Sequence, residues 1–196
     1  LEDNLPHHAI QYLYAKSFFW DIKEIQKDST LTQSINYYLE QATLHWRNKS
    51  IHQQGILALA AHRMNPNSPF AQMVVDSLRN QAVVDSSKGM YWKQPWGFRW
   101  YELPIETQAT MIELFEEVAK DESAVYLLKL WLLQQKKGAA WASTKATTTA
   151  SYALLMSGGN WLEHQGGLDI TIGDQSISSA EEVQETGTGY FKKTWS

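Results

Sequence analysis

Leu31, Ile35, Tyr38, Leu39, Ala42 and Trp46 fall at offsets of 4, 7, 8, 11 and 15 from the first of them, the spacing of one helical face. The same period predicts a helix over 7–18, where Ile10, Leu13, Tyr14 and Phe18 form an apolar stripe behind Pro6, a residue suited to a first turn. Residues 51–64 predict a third helix, apolar almost all round from Ile56 to Ala61 as an inner-layer helix is. Ser68-Pro69 opens a fourth, with Ala71, Val74, Val75, Leu78 and Ala82 on one face. The rhythm then stops over 85–103, where Gly89, Pro95 and Gly97 sit among Tyr91, Trp92, Trp96, Phe98, Trp100 and Tyr101, a long structured loop with room for a short hairpin. Helices resume over 104–120, over 122–137 before Gly138, and over 143–157 before Gly158-Gly159. Beyond Gly166-Gly167 the period changes: Leu168, Ile170 and Ile172 alternate with polar residues as in a strand, 181–189 reads as a polar connection, and 190–195 as a second strand.

Two of these helix starts match. Thr107-x-Ala109 precedes Leu114 as Thr148-x-Ala150 precedes Leu155, a recurrence at about 41 residues, which is a helix-pair period. Small Ala residues at matched places let helices approach closely, and Thr can bond a backbone group near a helix start. The Thr147-Thr148-Thr149 run has poor helix propensity, so the last helix depends on tertiary packing. The pattern therefore predicts an all-α chain, stacked antiparallel helix pairs of a partial α/α toroid, with a short β tail.

Composition narrows the function. With 196 residues, 43% hydrophobic and 19% charged, one sizeable core is expected. A net charge of -4 without a basic stripe disfavours a nucleic-acid partner, since phosphate binding draws on a basic excess. With no Cys in the chain, disulfides, thiolate metal sites and Cys nucleophiles are excluded within it. The longest apolar runs, such as 124–133, are interrupted by Lys129 and fall short of the roughly 20 residues that span a bilayer.

Met90-Tyr-Trp92, Pro104-Ile-Glu-Thr-Gln-Ala109, Leu130-Trp-Leu-Leu-Gln-Gln135 and Trp141-Ala-Ser-Thr-Lys-Ala-Thr147 together resemble the thioester-domain region of bacterial alpha-2-macroglobulin family proteins. The closing segment Glu185-Thr-Gly-Thr-Gly-Tyr-Phe-Lys-Lys-Thr-Trp195 is similar to the stretch that follows that region. The resemblance covers roughly residues 88 to 196, and the looser helical part before it fits the same domain. It implies an α/α toroid within a much larger, periplasmic or cell-envelope protease-trapping protein, of which this chain is expected to be a fragment that begins partway through the toroid. It further implies a boundary near residue 165, with 1–165 as partial toroid and 166–196 as the start of a CUB-like, macroglobulin-type β-domain. The implied partners are neighbouring macroglobulin-type domains and target proteases. Covalent members carry a Cys-Gly-Glu-Gln type motif, which no position here can supply.

The candidate site with most signal is the aromatic loop. Trp92, Trp96, Arg99 and Trp100 are the residue types enriched at interface hot spots; a sugar-binding platform is an alternative, and the favoured reading is that these rings pack the toroid mouth. No metal site is expected: His7 and His8 are adjacent, and His45, His52, His62 and His164 show no i,i+4 pairing. Glu113, Glu116 and Glu117 could serve as the paired acids of a glycosidase or lyase, but are expected on the outer, solvated face of their helix. Ser143 and Thr144 are read as helix-cap residues rather than nucleophiles. No catalytic residue and no cofactor is assigned. The expectation is a non-enzymatic interaction module, set against two alternatives: a carbohydrate-active enzyme on an α/α toroid, with acids beside aromatics in one cleft, and an open helical-repeat scaffold for peptides.

Overall fold

The computed structural model describes residues 3–93, 104–136, 138, 140–157, 169–172 and 175–178. The chain is mostly helical with short β elements. It divides into a unit of Leu1–Ser157 and a second of Gly158–Ser196, and the boundary expected near 165 lies outside the described residues. Among the described residues no helix is long and apolar enough to cross a membrane.

The first unit contains α1 (His7–Ser17), α2 (Lys23–Lys27), α3 (Ser29–His45), α4 (Ile51–Met64), α5 (Pro69–Gln81), α6 (Pro104–Leu114), α7 (Glu122–Gln134) and α8 (Thr144–Met156). Local chemistry starts most of them. Asp28 accepts from the Thr30 and Leu31 amides at 3.1 and 3.0 Å to cap α3. Ser50 and Gln53 form a reciprocal capping box on α4. Asp121 caps α7 through the Ala124 amide, and Ser143 caps α8 through the Ala146 amide, the role expected for Ser143.

Packing places α1, α4, α6 and α8 side by side in series, with α5 behind α4 and α7 behind α6. Helix α4 lies between α1, α5 and α6, which is why every residue from Gln53 to Ala61 is buried and why its sequence is apolar almost all round. At Gly55 the two central helices pack without room for a side chain: an added Cβ would lie 2.4 Å from Met111 Cε and 3.0 Å from Thr110 Cγ2. Helix α6 is enclosed too, with every residue from Ile105 to Ile112, and Leu114, buried.

The hairpin left open by the sequence is present. Strand β1 (Val83–Asp85) pairs antiparallel with β2 (Gly89–Tyr91), and the Asp85 carboxylate accepts from the Ser87 and Lys88 amides in the turn. The hairpin is seated on α7 at Gly89, whose φ of 87° and closeness to Leu127 O, 2.2 Å from an added Cβ, leave room for glycine alone. Tyr91 stacks on Trp131, and the Gln108 amide donates to Met90 O at 2.8 Å and to Leu128 O at 3.0 Å, joining β2 and α7 to α6.

Several expectations need correction. The helix over 104–120 is α-helical only to Leu114; Phe115–Ala119 form a π-helical turn that ends at Lys120 in the left-handed region. The matched helix starts are not equivalent: Ala109 and Ala150 are both buried, but Leu114 is fully buried while Leu155 is 67% exposed. Thr148 donates back to Thr144 O, whereas the buried Thr107 hydroxyl has no hydrogen-bond partner among the described residues. The short, wholly unburied α2 carried no apolar period to announce it.

In the second unit β3 (Asp169–Ile172) pairs antiparallel with β4 (Gln175–Ser178), Ile170 opposite Ile177. The first strand is the alternating one; β4 was not anticipated, and the segment 190–195 lies outside the described residues.

Candidate functional site

The in-series helices α1, α4, α6 and α8 all contribute to one cavity of about 740 Å³, so the row is curved with its hollow on this side. From α1 come His7, Gln11, Tyr14 and Phe18, a single i, i+4, i+7, i+11 stripe. Helix α4 supplies His52, Ile56 and Arg63. Helix α6 supplies Glu106, Ala109, Thr110 and Glu113, and the π-helical turn continues that stripe with Glu116 and Glu117. Lys145, Thr149, Tyr152, Ala153, Met156 and Ser157 close the far side.

Arg63 organises one end. Its Nε donates to Glu117 Oε1 at 2.8 Å, and its Nη2 donates to Glu117 Oε2 and to Glu113 Oε1, both at 2.6 Å. The guanidinium lies over the Phe18 ring at 4.2 Å and the Tyr14 ring at 5.5 Å, while the Tyr14 hydroxyl donates to Glu113 Oε2 at 2.7 Å. One cluster thus ties α1, α4 and α6 together. Burial draws the guanidinium down, but its hydrogen bonds to Glu117 and Glu113 outweigh that and hold it above its ordinary value. Burial first, and then the Glu113 charge, hold the Tyr14 phenol protonated.

At the other end the Thr110 hydroxyl donates to Glu106 O at 3.1 Å and sits 3.2 Å from His52 Nδ1. The hydroxyl can serve either partner, so which group donates in the His52 contact follows the imidazole tautomer. Burial, reinforced by the Lys145 and His7 charges, pushes the His52 imidazole down to about 4. His7 Nδ1 lies 3.0 Å from Gln53 Nε2. The Glu106 side chain is only 3% exposed; Lys145 Nζ stands 3.8 Å from Oε1, beyond hydrogen-bond reach, and among the described residues neither carboxylate oxygen has a hydrogen-bond partner. Behind the cavity the buried Lys129 ammonium donates to Ser157 O at the end of α8; burial lowers it and the Glu116 charge raises it.

The expectation that Glu113, Glu116 and Glu117 face solvent is therefore overturned. Helix α6 has neighbours on all sides, so its polar stripe turns into the shared hollow, where Arg63 and Tyr14 meet it. His7 and His52, though far apart in sequence, line the same cavity, and no group of residues able to hold a metal ion occurs among the described residues. Of the aromatic-loop candidates, Trp92 is buried, its indole N–H donating to Leu78 O at 2.9 Å beside Phe115. Trp96, Arg99 and Trp100 lie outside the described residues. Sequence reasoning missed the cavity because it is assembled from single stripes on four helices; the readable trace was glutamates recurring at i, i+7 and i+11 (Glu106, Glu113, Glu117) along α6 and the turn that follows it. No protein-family model matches the chain, and no curated protein matches its sequence.

Proposed function

We propose that this chain is a non-enzymatic interaction module, the curved helical part of an alpha-2-macroglobulin-like protein that traps proteases at the cell envelope. The observation that carries the reading is the single curved row of α1, α4, α6 and α8 backed by α5 and α7, the arrangement that a partial α/α toroid requires. The Pro104-Ile-Glu-Thr-Gln-Ala109 and Trp141-Ala-Ser-Thr stretches, on which the family resemblance rests, fall on α6 and at the start of α8, the neighbours across that row. In this role the module acts by steric surface and rigidity, with neighbouring macroglobulin-type domains and proteases as partners. With no Cys, this chain cannot form the internal thioester on which covalent members of that family rely.

A second reading is favoured by one specific observation. Four glutamates share a cavity with Tyr14, Phe18 and Tyr152, the acids-beside-aromatics arrangement of a carbohydrate-active α/α enzyme. Against it, Glu113 and Glu117 are both bound to Arg63, which removes them as a free acid and base.

One experiment separates the two. The purified chain is incubated with a panel of endopeptidases inactivated at their nucleophiles and, separately, with acidic and neutral polysaccharides. Native and intact mass spectrometry read association and adducts, and reducing-end release reads turnover. The module reading expects association without an added mass and no release. Turnover abolished by Glu106→Gln, with no endopeptidase retained, would transfer the assignment to the enzyme.

A further inference from the structure

We infer that the cavity is a binding site for an organic cation, an ammonium or guanidinium carried on an apolar stem, held by the Glu106 carboxylate. The inference goes beyond the protease-trapping proposal and does not depend on it.

Among the described residues Glu106 buries both carboxylate oxygens without a hydrogen-bond partner; it is 3% exposed and lines the hollow. A buried carboxylate in that state is costly unless a donor or counter-charge approaches it. Glu113 and Glu117 share Arg63 at 2.6 Å; Glu116 Oε2 also lacks a hydrogen-bond partner among the described residues, but Glu116 lies in the field of Lys129. Lys145 gives Glu106 a counter-charge at 3.8 Å but no hydrogen bond. Among the described residues that line the cavity, four carboxylates face Arg63 and Lys145, with Lys129 close enough to act on Glu116, so an added positive charge suits the site.

Shape and polarity point the same way. The cavity walls include Ile56, Ala109, Tyr152 and Ala153, which suit the methylenes of a lysine- or arginine-like side chain. The volume of about 740 Å³ lies within the range of small-molecule sites and exceeds what one such stem fills, so peptide flanks also fit. A metal ion is a poorer occupant, since no group of three or more candidate ligands converges among the described residues. The ammonium can come from a polypeptide side chain or from a free amine; the recognition chemistry is shared.

The test is isothermal titration of the 196-residue protein at pH 8 with Nα-acetyl-lysine-N-methylamide, its uncharged norleucine counterpart and n-pentylamine. The lysine probe should bind at least about tenfold more tightly than norleucine, a difference of about 1.4 kcal/mol. Glu106→Gln, which keeps shape and removes charge, should weaken it by at least about tenfold, while Lys145→Met, which removes the competing ammonium, should tighten it. Preference for the lysine probe over pentylamine assigns a polypeptide source, and the reverse a free amine. Equal binding of lysine and norleucine probes to the wild-type protein overturns the inference without recourse to any variant. So does an unchanged affinity in a folded Glu106→Gln protein, or no heat from any amine at millimolar concentration.

Discussion

Arg63 and Glu117 face each other in a two-point contact, Nε to Oε1 at 2.8 Å and Nη2 to Oε2 at 2.6 Å, between α4 and the π-helical turn after α6. The pair is partly buried, so removing one member leaves the other's charge poorly solvated. Arg63→Met should therefore lower stability by about 3 kcal/mol in denaturant titration, because both Glu113 and Glu117 lose their partner. Restoring neutrality with Glu113→Gln and Glu117→Gln in the same protein should recover a large part of that loss. Recovery of none would show that the arginine acts by packing on Phe18 and Tyr14 rather than by charge.

Gln108 is buried and donates to two carbonyls on different elements, Met90 O and Leu128 O. Gln108→Leu keeps the volume but strands both acceptors, and should cost about 2 to 3 kcal/mol. Amide exchange of the β2 hairpin should accelerate more than that of α4, to which this residue makes no hydrogen bond among the described residues.

Two glycines with positive φ make a matched comparison. Gly89 at 87° meets Leu127 O and the Trp131 amide nitrogen if a Cβ is added, while Gly138 at 65° meets nothing within 4 Å. Gly138→Ala should cost about 1 kcal/mol, the backbone term alone. Gly89→Ala adds a clash with backbone to that term and should cost more than about 2 kcal/mol, read from paired thermal melts. Equal costs would mean that the hairpin shifts freely on α7.

His52 sets a pH window. Its folded value is about 4 against 6.5 for a free imidazole, so as pH falls from 6.5 to 4 the unfolded chain takes up a proton that the folded chain refuses. Stability should fall across that interval by on the order of 2 kcal/mol. The carboxylates held low act elsewhere: Asp3 by Lys49, Asp85 by Ser87 and Asp121 by the Ala124 amide lose their contribution only as pH falls below their ordinary value of 3.8. His52→Asn, whose amide can still hydrogen-bond Thr110, should flatten the slope between pH 6.5 and 4; an unaltered slope would assign it to another group.

Much of the fold was legible because single-face periodicity is a local property. The stripe from Leu31 to Trp46 announced α3, and the apolar run from Ile56 to Ala61 announced an enclosed helix. The π-helical turn was not legible, since Phe115-Glu-Glu-Val-Ala119 keeps an ordinary helical pattern. The cavity was not legible either. A glutamate on a helix reads as solvated until Arg63, 54 residues from Glu117, is known to oppose it. Such pairings are set by which helices become neighbours, and no stretch of sequence records that alone.

The closeness of α4 and α6 at Gly55 also constrains which sequences this fold admits. The tip of Met111 occupies the space a side chain at position 55 would need. The two positions draw on one volume, so a substitution at one alters what is tolerated at the other. A chain with Ala at 55 keeps this packing when position 111 is shortened to Leu or Val, and Gly55→Ala with Met111 retained forces the methionine tip to find another rotamer. The two sites should behave as one mutational unit, their double variant more stable than the sum of the single changes.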